Sequence, residues 1–322
     1  MAFDLPGDWV WDFWLAQEFG PQPTYHLFHL AAPKTLPPDL RHVHARVAHA
    51  VGPDLVDWTP VGDALRPSTG PAFDDLAIWT GSVVRDDAGT WLMFYSAIGR
   101  ADGPRVQRIG LATSPDLYHW SRASRDPLVV ADPRWYDGQA WRDPWVFRDP
   151  AGSGWHMFVT ASAADCDRAQ AGVVGHAWSP DLRHWEVGPP VTAPGCGFSE
   201  LEVPQLVDVE GDPVLLASCR GPELSPKRRA EHGGGGTWAL PGDSPVGPFD
   251  ANRAVRLTDE SLYVGKMVRQ SGPKWAIMGF VNHDLAGSFV GGITSPRPLG
   301  LPLGRGPLVS ADSGVGREGA SA

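Results

Sequence analysis

The chain has 322 residues, 42% of them hydrophobic and 20% charged, the profile of a globular protein with room for a sizeable core. Its formal charge of −10 argues against a phosphate-backbone partner, and Lys227-Arg228-Arg229 is too short a basic run to track nucleic acid. No apolar run reaches the ~18 residues of a spanning helix, so no membrane partner is expected.

The first residues carry Asp4, Asp8 and Asp12 and lack a basic stretch followed by an apolar run. Three scattered cysteines, Cys166, Cys196 and Cys219, form no CxxC pair. Both features predict a cytoplasmic protein with reduced thiols, provided residue 1 is the true start. Fifteen Trp stand beside only 5 Tyr. An indole face suits the apolar face of a sugar ring, although much of this excess serves packing.

Five strand-like segments recur along the chain. They begin at Tyr25, Trp91, Trp155, Pro213 and Trp275, at spacings of 58 to 66 residues. Each follows a turn signal, such as Asp86-Asp87-Ala88-Gly89 or Glu210-Gly211-Asp212. A Pro-Asp-Leu-x-x-Trp core ends at Trp58, Trp120 and Trp185, with weaker versions at Ser244–Phe249 and Thr294–Pro298. It reads as a strand, a Pro-Asp turn, and a Trp that packs back on its sheet. Repeats of this length with almost no helical periodicity predict an all-β fold, a single five-bladed β-propeller without a C-terminal β-sandwich. Residues 1–303 form the propeller in this reading, and the Gly/Ser-rich 304–322 tail is expected to be disordered.

In a propeller the first strand of each blade lies nearest the axis, so the residues preceding each recurring segment carry the chemistry. Blade one offers Asp12 in Trp11-Asp-Phe-Trp14, blade three Asp143 in Trp141-Arg-Asp-Pro144, and blade four Glu202 in Glu202-Val-Pro204. Three carboxylates are therefore expected to converge, and mutual repulsion is expected to raise the proton affinity of at least one. A carboxylate pair across a scissile bond is the machinery of glycoside hydrolysis. Trp14, Trp79, Ser82, Arg142 and His44 are the expected substrate contacts, and no cofactor or metal is required. Arg-Asp-Pro occurs three times, but only the copy at 142–144 holds the inner-strand position. Glu200 shares a face with Glu202, and the Val-Pro that follows Glu202 favours the latter.

These motifs resemble the five-bladed glycosidases of clan J, glycoside hydrolase families 32 and 68. Trp141-Arg-Asp-Pro144 is similar to their Arg-Asp-Pro motif, and Glu202-Val-Pro204 to their Glu-Cys-Pro motif. Trp79-Thr-Gly-Ser82 is similar to their Trp-Ser-Gly-Ser. Tyr25-His-Leu-Phe28 with His49-Ala50 through Trp58 looks like blade one of family 32. Trp11-Asp-Phe-Trp14 is closer to family 68, and Leu30 stands where family 32 often has a substrate-binding Gln. The resemblance implies a β-fructofuranosidase-like enzyme acting on a small oligosaccharide by retaining double displacement. Asp12 would be the nucleophile, Glu202 the acid/base and Asp143 the transition-state stabiliser. An inverting arabinofuranosidase-like enzyme and a non-catalytic sugar-binding propeller are the alternatives, and the oligomeric state is left open.

Overall fold

Each repeat folds as an antiparallel meander because its alternating segments are separated by residues that favour tight turns. Gly89 takes a φ of 87° and closes the Asp86 turn through its N–H to the Asp86 carbonyl, 3.0 Å away. The computed structural model describes residues 2–18, 20, 23–152, 154–269 and 275–299. The tail at 304–322 and the boundary at 303 lie outside the described residues.

Five separate sheets result, in chain order, and they are the predicted five blades. Blade one runs through Asp8–Glu18, Thr24–Pro33, Arg46–Gly52 and Thr59–Leu65. Blade two holds Ala77–Arg85, Trp91–Ile98, Gln107–Ser114 and Ser121–Arg122. Tyr136–Arg148, Trp155–Ala163, Gly172–Ser179 and Glu186–Gly188 form blade three. Blade four comprises Glu202–Val209, Asp212–Cys219, Gly236–Pro241 and Val255–Arg256. Blade five begins with Leu262–Arg269, Trp275–Val281 and Ile293–Thr294, with Arg297–Pro298 beside its second strand. Among the described residues there is no β-sandwich. Second strands are covered on both faces by neighbouring blades, so Trp91–Ile98 and Trp155–Ala163 are buried along their whole length.

The recurring Pro-Asp-Leu-x-x-Trp segment proves to be a staple between blades. The Asp116 carboxylate accepts the N–H groups of Tyr118 and His119 at 2.9 and 2.8 Å, and Asp181 does the same for Arg183 and His184. In blades two and three the turn swings its Trp ring onto the Phe at one repeated position of the preceding blade. Trp120 meets Phe28 edge-on at 5.7 Å, and Trp185 meets Phe94 at 5.6 Å. Phe249, from the weaker version in blade four, meets Phe158 in the same way at 5.8 Å.

Two elements differ from the sequence reading. Ala2–Phe3 pairs with Ile293–Thr294 and completes blade five, closing the ring with the chain's first strand. A single strand of two residues carries too little periodicity to be read as a strand. The basic run lies on a short α-helix, Pro226–His232, capped by Ser225 and with Arg228 buried.

Replacing Trp120 with Ala removes a half-buried indole and its edge-on contact. We expect a loss of about 3 kcal/mol in denaturant unfolding, against less than about 0.5 kcal/mol for Ala at the exposed Trp135.

Candidate active site

Every inner strand is irregular at the same level. The ladder slips between Trp11 and Phe13, Ile78 and Gly81, Arg142 and Trp145, Glu202 and Gln205, and Tyr263 and Lys266. Bulges of this kind turn side chains out of the sheet face. In blades three to five the bulge begins at a residue of positive φ: Asp143 at 59°, Val203 at 52° and Val264 at 51°. Such a conformation is costly for valine and needs the surrounding structure to hold it.

Hydroxyls from the second strands provide that support. The Asp143 N–H donates to Ser96 Oγ at 2.6 Å, and Ser96 donates to the Thr80 carbonyl at 2.8 Å. The Val203 N–H donates to Thr160 Oγ1 at 3.0 Å, and Thr160 donates to Asp143 Oδ2 at 2.7 Å. Thr80 in turn donates to Asp12 Oδ2 at 2.5 Å. These bonds link blades four, three, two and one around the axis at the level of the carboxylates. Within the Trp79-Thr-Gly-Ser82 segment only glycine fits at 81, since a Cβ there would lie 2.3 Å from the Phe94 carbonyl oxygen.

Above this belt opens a cavity of about 380 Å³, onto which Asp12, Asp143 and Glu202 all face. The three predicted carboxylates are thus brought together. Arg142 joins them electrostatically: Nη2 lies 2.7 Å from Glu202 Oε1 and 2.9 Å from Glu200 Oε2, and Nε 3.4 Å from Asp143 Oδ2. Gln107 Oε1 braces the same guanidinium at 3.3 Å. Tyr263 donates to Glu202 Oε2 at 2.5 Å, and Arg220, held by Glu223, adds positive charge nearby.

Burial pushes Asp12 up to about 6; the Thr80 hydroxyl pulls against it and the Glu202 charge adds to it. Burial likewise pushes Asp143 up to about 7, opposed by Arg142 and reinforced by Asp12 and Glu202. Glu202 feels the same burial, but Arg142, the Tyr263 hydroxyl and Arg220 outweigh it and hold its carboxyl below the usual range. The expected rise in proton affinity therefore falls on the two aspartates, with desolvation ahead of repulsion as its cause.

Of the predicted sugar contacts, Trp79 and Arg142 line the cavity; Trp14, Ser82 and His44 do not. Trp14 is 2% exposed and stacked on Phe28 in the core. Ser82 is buried and accepts the Val146 N–H at 3.1 Å, which ties blade three to blade two. His44 is exposed at the end of the 3-10 helix Pro38–His44, whose Arg41 and His42 reach the cavity instead. That helix is fixed by the Trp79 indole N–H, which donates to the His42 carbonyl at 2.7 Å.

Thr80, Tyr263, Glu200, Gln107 and Phe280 also reach the cavity and were not among the expected contacts. One signal for two wall positions was present: Leu30 and Phe280 occupy the repeat position that holds Ser96, Thr160 and Ser218 in the other blades.

Residues 21–244 match the glycosyl hydrolases family 32 N-terminal domain. The chain is 28% identical over 167 residues to a rice protein named "Beta-fructofuranosidase, insoluble isoenzyme 2", covering 50% of this chain and 26% of the relative. It is 29% identical over 178 residues to the sucrose-6-phosphate hydrolase of Pediococcus pentosaceus, covering 54% and 33%. The matches thus span about a quarter to a third of the length of these curated relatives. Its fold is similar to that of inulosucrase from Halalkalicoccus jeotgali bound to kestose, with a TM-score of 0.72, 23% identity and coverage of 89% and 79%. With the family's domain matched over residues 21–244, more than half of the sequence, the chain belongs to glycosyl hydrolases family 32.

Proposed function

We propose that this protein is a glycoside hydrolase that releases fructose from a small β-fructofuranoside by retaining double displacement. The observation that carries the reading is the set of Asp12, Asp143 and Glu202 in one cavity, bridged by Arg142, on a family 32 propeller. Relatives named for sucrose-6-phosphate, fructan and sucrose-type substrates support the fructoside class. A cytoplasmic setting belongs to the same proposal and rests on three free thiols.

Asp12 attacks the anomeric carbon, Glu202 protonates the leaving oxygen and later activates water, and Asp143 holds ring hydroxyls as the oxocarbenium-like charge develops. Arg142 and the Tyr263 hydroxyl hold Glu202 below the usual carboxyl range. A leaving-group oxygen that displaces Arg142 Nη2 from Glu202 removes this restraint. Glu202 then takes up a proton from solvent and delivers it to the leaving oxygen, while Asp12 attacks as the carboxylate. Trp79, Leu30 and Phe280 provide the apolar walls, where water is excluded from the ring. Water as acceptor gives hydrolysis, and a second sugar gives transfer.

Incubation with sucrose, short fructans, levan and aryl arabinofuranosides, followed by chromatography, tests the substrate class. Free fructose is the expected product; arabinose alone would replace the fructoside with an arabinofuranoside. No product from any of them, with sugar binding retained, would mark a binding propeller. Methanol added as acceptor should yield a methyl fructoside of unchanged β configuration; inversion would make Asp12 a base acting through water.

Glu202→Gln should lower kcat between about 100- and 10,000-fold, and Asp12→Asn at least as much. Because Asp12 must be ionised to attack and sits at about 6, kcat/KM should fall as pH drops below about 6.

Stability should move the opposite way. A carboxyl whose folded value is raised favours folding at low pH and loses that contribution as pH rises through the folded value. Asp12→Asn should therefore stabilise the fold at pH 8 by about 1–2 kcal/mol, a gain that vanishes near pH 4 in thermal or denaturant unfolding.

A further inference from the structure

Lys266 is a buried amine for which the reaction above has no role. It lies on the inner strand Leu262–Arg269, is 5% exposed, and pairs across the ladder with Met278. Its Nζ donates to the carbonyls of Val203 and Pro204 at 3.2 and 3.3 Å and stands 5.4 Å from the centre of the Trp145 ring. These two carbonyls belong to the bulge that presents Glu202. The first ladder position beyond the bulge is Phe13, Gly81, Trp145 and Gln205 in the other blades, so blade five alone puts a charge there.

Joining blades four and five does not require that charge. Gln205 already spans them, its Oε1 accepting the Met267 N–H at 2.8 Å and its Nε2 donating to the Met267 carbonyl at 2.9 Å. An ammonium in this position is costly to bury unless opposite charges face it. Asp143 of blade three and Asp12 of blade one are the carboxylates that act on it. Around them stand Arg142 of blade three, Glu202 of blade four, Tyr263 of the same inner strand as Lys266, and Arg41 and Arg220 at the rim.

We propose that Lys266 is a positioning residue of the site: it locks the Glu202 bulge through the Val203 and Pro204 carbonyls and supplies positive charge that favours the carboxylate form of Asp12, the form that attacks. The assignment rests on the roles given above to the three carboxylates. Burial brings the amine down to about 8 against the pull of Asp143 and Asp12, so it remains charged through neutral pH.

Lys266→Gln keeps a donor for the bulge carbonyls without the charge, and Lys266→Arg keeps the charge. The acid limb of kcat/KM should move up by about one pH unit in the Gln variant, roughly tenfold less activity at pH 5 with little change at pH 8. The Arg variant should retain the wild-type limb. Carboxyl 13C NMR should show the same upward movement in the two highest-titrating aspartates, a readout that needs no turnover and survives failure of the fructoside reading. An unmoved limb and unmoved aspartate titrations in Lys266→Gln, with loss only of thermal stability, would overturn the proposal.

Discussion

A propeller leaves five strand edges facing its axis, and their N–H and C=O groups have no further strand to pair with. The structure meets this constraint with a hydroxyl belt. Ser96, Thr160 and Thr80 each serve two neighbours, passing hydrogen bonds from one blade to the next at the level of the bulges. In blade four Thr237 extends the pattern by accepting the Gly265 N–H at 2.9 Å. The carboxylates hang from this belt: the hydroxyl that satisfies one backbone group orients Asp143, and another orients Asp12. Support of the fold and preparation of the site are the same set of bonds.

Electrostatics builds on that scaffold. Burying several carboxylates together is unfavourable unless cations share the volume. Arg142 reaches Asp143, Glu200, Glu202 and Gln107, and with Tyr263 it holds the Glu202 carboxyl below the usual range. The aspartates have weaker compensation, and burial pushes them up to about 6 and about 7.

The blade architecture was legible because a repeat of about sixty residues cannot easily hide, and the Pro-Asp-Leu-x-x-Trp turn was recognisable even before its packing partner was known. Asp12, Asp143, Glu202 and Arg142 were legible for the same reason: each precedes a recurring strand. Their common register was not. The carboxylates suggest aligning Asp143 with Glu202, whereas the prolines at 144 and 204 align Asp143 with Val203 and Arg142 with Glu202. The ladder agrees with the prolines, since Arg142 pairs with Thr160 and Glu202 with Ser218. This is why Arg142 and Glu202 occupy equivalent places on adjacent blades and meet. Trp14 and Ser82 were misplaced for a simpler cause. Alternation in an inner strand sends every second side chain between blades rather than into the funnel, and a bulge shifts that alternation by one. Tyr263 and Lys266 hold the aligned inner-strand position of blade five but carry no motif, and their contacts became visible only through their partners in space.

The pairing of Ala2–Phe3 with Ile293–Thr294 has a consequence for how the molecule comes into being. The ribosome delivers Asp12 long before the strands of blade five. Until the final blade is made, the opening strand has no partner, and the cavity lacks the wall formed by Tyr263 and Phe280. Between the two, nascent chains carry an unfinished ring with an exposed sheet edge, and the cavity is completed only when blade five folds. A fault in blade five would be felt first at the strand Ala2–Phe3.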